Sequence, residues 1–241
     1  MHAPKRCFSV VLLLLPLLHP AFLLADDHVV IEQKIARMGM RYPARVSEVW
    51  LSETSTCTIT GRFIIIERLD LKKRWSISLL TKRYYERPIT PPVEQKKQPV
   101  TIQHAGWDYE PVFDWTVTES EQTDTVCGIL CRLLVAEGDA DYSSTSVQLW
   151  VSDKLPVDCE RFHERVTSSS TDFDWPSLVK VHPALKKLFI VKTLTKIERP
   201  ISAAVSYETT MTRVESVAPP PNRYEIPEGY QKVDSVEALT K

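Results

Sequence analysis

The chain has 241 residues, 43% hydrophobic and 25% charged, with a formal net charge of −1. That is an ordinary globular composition without the basic surplus of a nucleic-acid-binding protein. Six glycines and a single asparagine, Asn222, supply no glycine-rich loop, which excludes a dinucleotide fingerprint and a P-loop.

The first predicted element is a targeting segment. Lys5 and Arg6, an apolar run over residues 10–24 and the small Ala25 have the layout of a secretory signal peptide spanning residues 1–25. The run is about 15 residues and holds Pro16 and Pro20, short for a membrane span of ~20. Removing residues 1–25 leaves 28 basic and 31 acidic side chains, a formal charge of −3. The expected location is therefore the periplasm or the cell exterior.

Residues 29–37 fit a strand face and a helix face about equally, and their β-branched start favours the strand. Residues 46–52 predict a second strand anchored by Trp50, and residues 56–60 a third containing Cys57. Residues 63–86 then read as three short strands joined by two polar turns. In the middle strand Trp75, Ile77 and Leu79 alternate with polar residues, the pattern of an antiparallel strand with one dry face. Pro88 ends this meander because it has no N–H to donate.

Residues 87–106 contain Pro88, Pro91, Pro92 and Pro99 and predict a connecting loop, longer than the usual limit of ~12–15 residues. Strands are expected over residues 112–119, over 125–136 with a bulge at Gly128, and over 145–152. Residues 158–166 predict a helix with Asp158 as its N-cap, and Asp174 and Pro176 open a second short helix. Two long strands, 188–198 and 201–217, lead to Pro219, Pro220 and Pro221 and a tail over residues 218–241. The fold class is mainly β (α+β). Residues 26–241 are expected to form one large curved antiparallel sheet or half-barrel of about nine or ten strands, with a short helical interlude.

Several stretches carry a resemblance: WLSE at Trp50, FIIIERLDLKKRW with KRYYE, TVCGILCRLL, VQLWVSDKLPVD and the closing YEIPEGYQKV. Over about residues 28–233 the chain resembles a family of secreted bacterial proteins related to the lipoprotein-carrier (Lol-type) half-barrel superfamily. The resemblance implies a half-barrel wrapped around helices, with an apolar cavity for acyl chains and no catalytic residues. The chain departs from that pattern in Cys57, Cys127 and Cys159 and in its short helices.

The expectation that follows is an exported, non-enzymatic protein that binds a lipid, another apolar ligand or a lipidated partner, peripheral to a membrane at most. Strand parity makes Phe63, Ile65, Trp75, Ile77, Leu79, Val147, Leu149 and Val151 the candidate lining residues. The alternative is an envelope structural or interaction protein whose cavity is filled by its own chain. No catalytic residue, metal, cofactor or nucleic-acid partner is expected.

Cys57, Cys127, Cys131 and Cys159 remain after signal removal, and in an oxidising compartment an even number suggests disulfides, with the pairing open. Cys127 and Cys131, if extended, stand about 13 Å apart and could not bond directly. Cys127-x3-Cys131 with Cys159-x3-His163 offers zinc-ligand types, but disulfides are the preferred reading for an exported chain. His28, His104, His163 and His182 are scattered and expected at the surface. The six tryptophans are expected to pack rather than to line a cleft.

Overall fold

The computed structural model describes residues 25–37, 39–89, 114–140, 143–165, 175–199 and 202–240. Residues 1–24 of the expected signal segment lie outside them, as do residues 90–106 of the expected loop. Thirteen strands form one open sheet. In chain order they are β1 (Asp26–Arg37), β2 (Met40–Arg41), β3 (Arg45–Leu51), β4 (Ser55–Thr60), β5 (Phe63–Arg68), β6 (Lys73–Ser78) and β7 (Arg83–Pro88). Then come β8 (Asp114–Val126), β9 (Ile129–Ala140), β10 (Ser143–Ser152), β11 (Phe189–Arg199), β12 (Ser202–Val217) and β13 (Gln231–Val233).

The strand order is β13-β7-β6-β5-β4-β3-β1-β12-β11-β10-β9-β8, with β2 beside β1. Every neighbouring pair is antiparallel except β13 on β7. Two meanders, β3–β7 and β8–β12, are joined where β1 pairs with β12 along its whole length, through one bulge at Val30/Ile31. The sheet curls enough for edge strand β8 to approach β12. This is the mainly-β half-barrel that the alternating pattern predicts, with more strands than expected.

The extra strands have local causes. The stretch 125–136 is two strands, because Cys127 (φ 54°) and Gly128 (φ 75°) form the tight turn between β8 and β9. A two-residue hairpin turn of this hand needs positive φ at both positions, and Asn-Gly is its usual signal. Cysteine in the asparagine place hides that signal, so Gly128 is a turn residue and not a bulge.

Between β10 and β11 lies the helical interlude: α1 (Cys159–Arg165), α2 (Trp175–Val181) and a 3-10 turn over Pro183–Lys187. Asp158 Oδ1 accepts from Arg161 N at 3.1 Å, which satisfies one of the free donors at the start of α1, as the N-cap reading predicts. α2 lays Trp175, Leu178 and Val179 against Val147, Leu149 and Val151 of β10 and Leu134 and Ala136 of β9. Phe162 of α1 joins a neighbouring cluster with Val29, Val49, Leu51, Phe189 and Met211.

The β3–β7 meander buries its opposite face. Cys57, Ile66, Trp75 and Ile77 pack with Trp50 under Tyr224, Ile226 and Tyr230 of the C-terminal tail. The tail is fastened by β13, by Thr81 Oγ1 donating to Leu239 O at 2.7 Å, and by Arg83 donating to Ala238 O at 3.1 Å. One sheet is thus dry on one face at one end and on the other face at the other end. The adjacent residues Asp26 and Asp27 sit where the two covers meet. Asp26 accepts from Tyr224 of the tail at 2.5 Å, and Asp27 is 3.1 Å from Arg161 of α1.

Candidate functional site: a groove across β1, β12, β11 and β10

Opposite the helices, the sheet carries a half-open groove of about 880 Å3. On β10 it touches Ser146 and Gln148 but not Val147 between them, which places it on the face away from α2. Register explains the floor. Gln148 pairs with Leu194, Leu194 with Glu208 and Glu208 with Lys34, so these side chains share one face of four neighbouring strands. Leu194, Ala36 and Ala204 supply apolar floor, and Arg41, Tyr42 and Ala44 close one side.

The charges around the groove are largely internal pairs. Lys34 Nζ lies 2.9 Å from Glu32 and 3.6 Å from Glu208, and its pKa is raised first by the Glu32 hydrogen bond and then by the charge of Glu208. Lys196 is 2.5 Å from Glu198. Arg41 has no ion-pair partner among the described residues. A strip of Leu194, Ala36 and Ala204 between polar neighbours, with the Arg41 guanidinium at the wall, suits an elongated apolar ligand with an anionic end, and the volume falls in the ~300–1,000 Å3 range of ligand clefts.

The residues singled out from parity do not assemble into one site. Val147, Leu149 and Val151 have no exposed surface and belong to the core beneath α2. Trp75 and Ile77 are also buried, but beneath the tail on the other face. Ile65 pairs with Ser76, and Phe63 with Ser78, so both point away from Trp75 and Ile77. Leu79 lies beyond the end of β6, in the turn, and is exposed. Alternation within a strand gives relative faces only; the pairing between strands assigns them to a side.

The four cysteines are free thiols, contrary to the pairing expected for an exported chain. Cys127 sits exposed in its turn, whereas burial pushes Cys57 up to about 11 and Cys159 up to about 12. The zinc-type quartet is not assembled either. Cys127 and Cys131 belong to the β8–β9 hairpin, and His163 on α1 bonds the carbonyl of Leu188 at 2.8 Å. Burial holds the His163 pKa below its ordinary value.

His28 is the residue that sequence reasoning misplaced. It is buried rather than at the surface, stacked on Trp50 with centroids 4.0 Å apart. Its Nδ1 is 2.8 Å from Glu215 and its Nε2 3.4 Å from Glu48. Arg223 of the tail lies 5.1 Å over the Trp50 ring and 3.8 Å from Glu48. These charges come from three distant parts of the chain, which left no local spacing to read. The cluster fastens the tail to the centre of the sheet. His163 likewise stacks on Trp175 at 5.0 Å, and His104 lies outside the described residues.

No family model matches the sequence, and no curated protein does. Among solved structures, a protein named PNGF-II is similar over 90% of this chain and 32% of its own, at 8% identity and a TM-score of 0.33. The chain thus spans about a third of that protein's length. A DUF1329 family protein from Desulfovibrio piger is similar over 83% of this chain and 89% of its own, at 12% identity and a TM-score of 0.25. A LolA superfamily protein from Nitrosomonas europaea is similar over 83% and 90%, at 8% identity and a TM-score of 0.29. Likenesses this distant carry no assignment, and the functional reading rests on the sheet itself.

Proposed function

We propose that this is an exported, non-catalytic binding protein that holds an apolar ligand, such as the acyl chain of a lipid, in the groove across β1, β12, β11 and β10. The observation behind this reading is the groove: about 880 Å3, with Leu194, Ala36 and Ala204 set among the polar side chains of its floor, on the face the chain's own helices leave uncovered. Carriage of a lipid beneath the helices is disfavoured, because that side is filled by Leu178, Leu185, Val147 and Leu149 with no exposed surface. The filled side supports a second reading, an envelope interaction protein that takes no ligand.

Uptake of a fluorescent fatty acid by the mature protein separates the two readings. Native mass spectrometry of protein purified from its own envelope, with lipid extraction, supplies the natural ligand. Leu194→Asp places a charge on the groove floor without entering the core and lowers uptake at least tenfold under this proposal. Wild-type protein that takes up no lipid, or unchanged uptake by Leu194→Asp, overturns it in favour of the interaction protein.

A further inference from the structure

We propose that one end of the β3–β7 meander is a docking surface for an anionic lipid bilayer. This surface adjoins the groove at Tyr42 but does not require a ligand in it. Thr60, Phe63, Ser78 and Arg83 are in register, and Thr60 pairs with Ser47, two residues from the start of β3. The connection into β3, the β4–β5 turn and the β6–β7 turn therefore emerge side by side at one end of the sheet.

That end gathers apolar side chains in water. Val46, Phe63, Leu79 and Leu80 are four of the twelve large hydrophobics exposed among the described residues, and Leu80 is 68% exposed. Interleaved with them are Arg45, Arg62 and Lys82, all exposed and without an ion-pair partner among the described residues. Residues 37–47, 59–66 and 77–85 contain no Asp or Glu. The acidic residues that follow these stretches, Glu48, Glu67 and Glu86, are each paired with a basic side chain: Glu48 with Arg223, Glu67 with Arg74 and Glu86 with Lys232.

The opposite end of the meander is the internal comparison. Its turn also exposes Leu69 and Leu71, but there Arg68 is held by Asp70 at 2.7 Å, Arg74 by Glu67 at 2.8 Å and Lys73 by Glu86 at 3.3 Å, which leaves Lys72 as the cation of that turn without an ion pair among the described residues. Exposed apolar groups beside largely neutralised charge have little preference for an anionic surface; beside three unneutralised Arg and Lys side chains they do. Basic residues at such a surface are attracted by the negative leaflet, while leucine and aromatic side chains enter the headgroup boundary. A soluble partner would need an acidic, apolar patch to match three separate turns. A bilayer meets all three at once because it is planar and deformable.

Flotation of the mature protein with phosphatidylcholine vesicles, with and without phosphatidylglycerol, tests this. Binding is expected only with phosphatidylglycerol, and it weakens as salt rises. The triple substitution Arg45→Gln, Arg62→Gln and Lys82→Gln removes three charges. Each is worth about fivefold near an anionic surface, so partitioning falls about 100-fold. Leu79→Ser with Leu80→Ser also releases the protein, whereas Leu69→Ser with Leu71→Ser leaves it bound. All of these lie at exposed strand ends or turns, and circular dichroism confirms that each variant folds.

Absence of vesicle binding by wild type, or equal loss from the opposite-end variant, overturns the proposal. So does crosslinking of the same turns to an acidic protein without any vesicle binding. Fatty-acid uptake read on the same samples keeps the two ideas apart, because Leu194→Asp loses uptake and still floats if both are right.

Discussion

Leu149 was a candidate for lining a ligand cavity, and the fold makes it a core residue. Replacing it with alanine should therefore affect stability and leave ligand uptake unchanged. The side chain has no exposed surface and packs in the cluster beneath α2 with Leu178 and Leu185. Loss of three carbons forfeits about 2.4 kcal/mol of transfer energy at ~0.8 per methylene. A cavity term adds to it, because strands on either side hold the wall in place, and the total is about 3–4 kcal/mol. Leu194→Ala, on the half-exposed groove floor, costs less than about 1 kcal/mol. Urea unfolding of the mature protein, followed by tryptophan fluorescence, reads both values. A Leu149→Ala protein within about 1 kcal/mol of wild type but defective in fatty-acid uptake would show the face assignment to be wrong.

Two further outcomes follow from the charges and thiols. Glu86 is held at about 2, first by the Trp75 indole N–H at 2.8 Å and then by Lys232 of the tail. Its folded pKa lies below the unfolded value, so its contribution is complete above about 4.5 and is lost as pH falls towards 2. The melting temperature of wild type should therefore drop through that window more steeply than that of Glu86→Gln, and parallel pH profiles would refute the assignment. A maleimide should label one thiol of the native mature protein rapidly, Cys127, and four after denaturation. A mature chain with no titratable thiol would instead establish the disulfides expected from the sequence.

The backbone was largely legible and the sides of the sheet were not. The central meander, the N-cap at Asp158 and the two long closing strands follow from alternation, capping and proline punctuation, each within a few residues. What failed was what alternation cannot carry. Trp75 and Leu149 belong to equally regular strands, yet one is covered by the tail and the other by α2, on opposite faces. Strand β13 has three residues and draws its stability from Gln231 reaching Lys82 and from the anchored chain that follows, so no period announces it. Leu79 continues the alternation of β6 in sequence but not in space, because the ladder stops at Ser78. The groove escaped notice because its floor joins Lys34, Gln148, Leu194 and Glu208, polar in three places out of four. Only the register brings Ala36, Ala204 and Tyr42 beside them.

The pairing of the first strand with the penultimate one has a consequence for biogenesis. β1 cannot complete its ladder until β12 exists, and Asp26 finds its partner at Val217 near the far end of the chain. Such distant contacts make folding slow, since loop closure across the intervening chain precedes any gain from the pairing. The N-terminal meander can zip up by itself, but its tail-side cover arrives last. A polypeptide threaded outward from its N-terminus would thus stay unlocked until nearly all of it had crossed. Closure from both ends would then come in a single late step, in the compartment where the protein works.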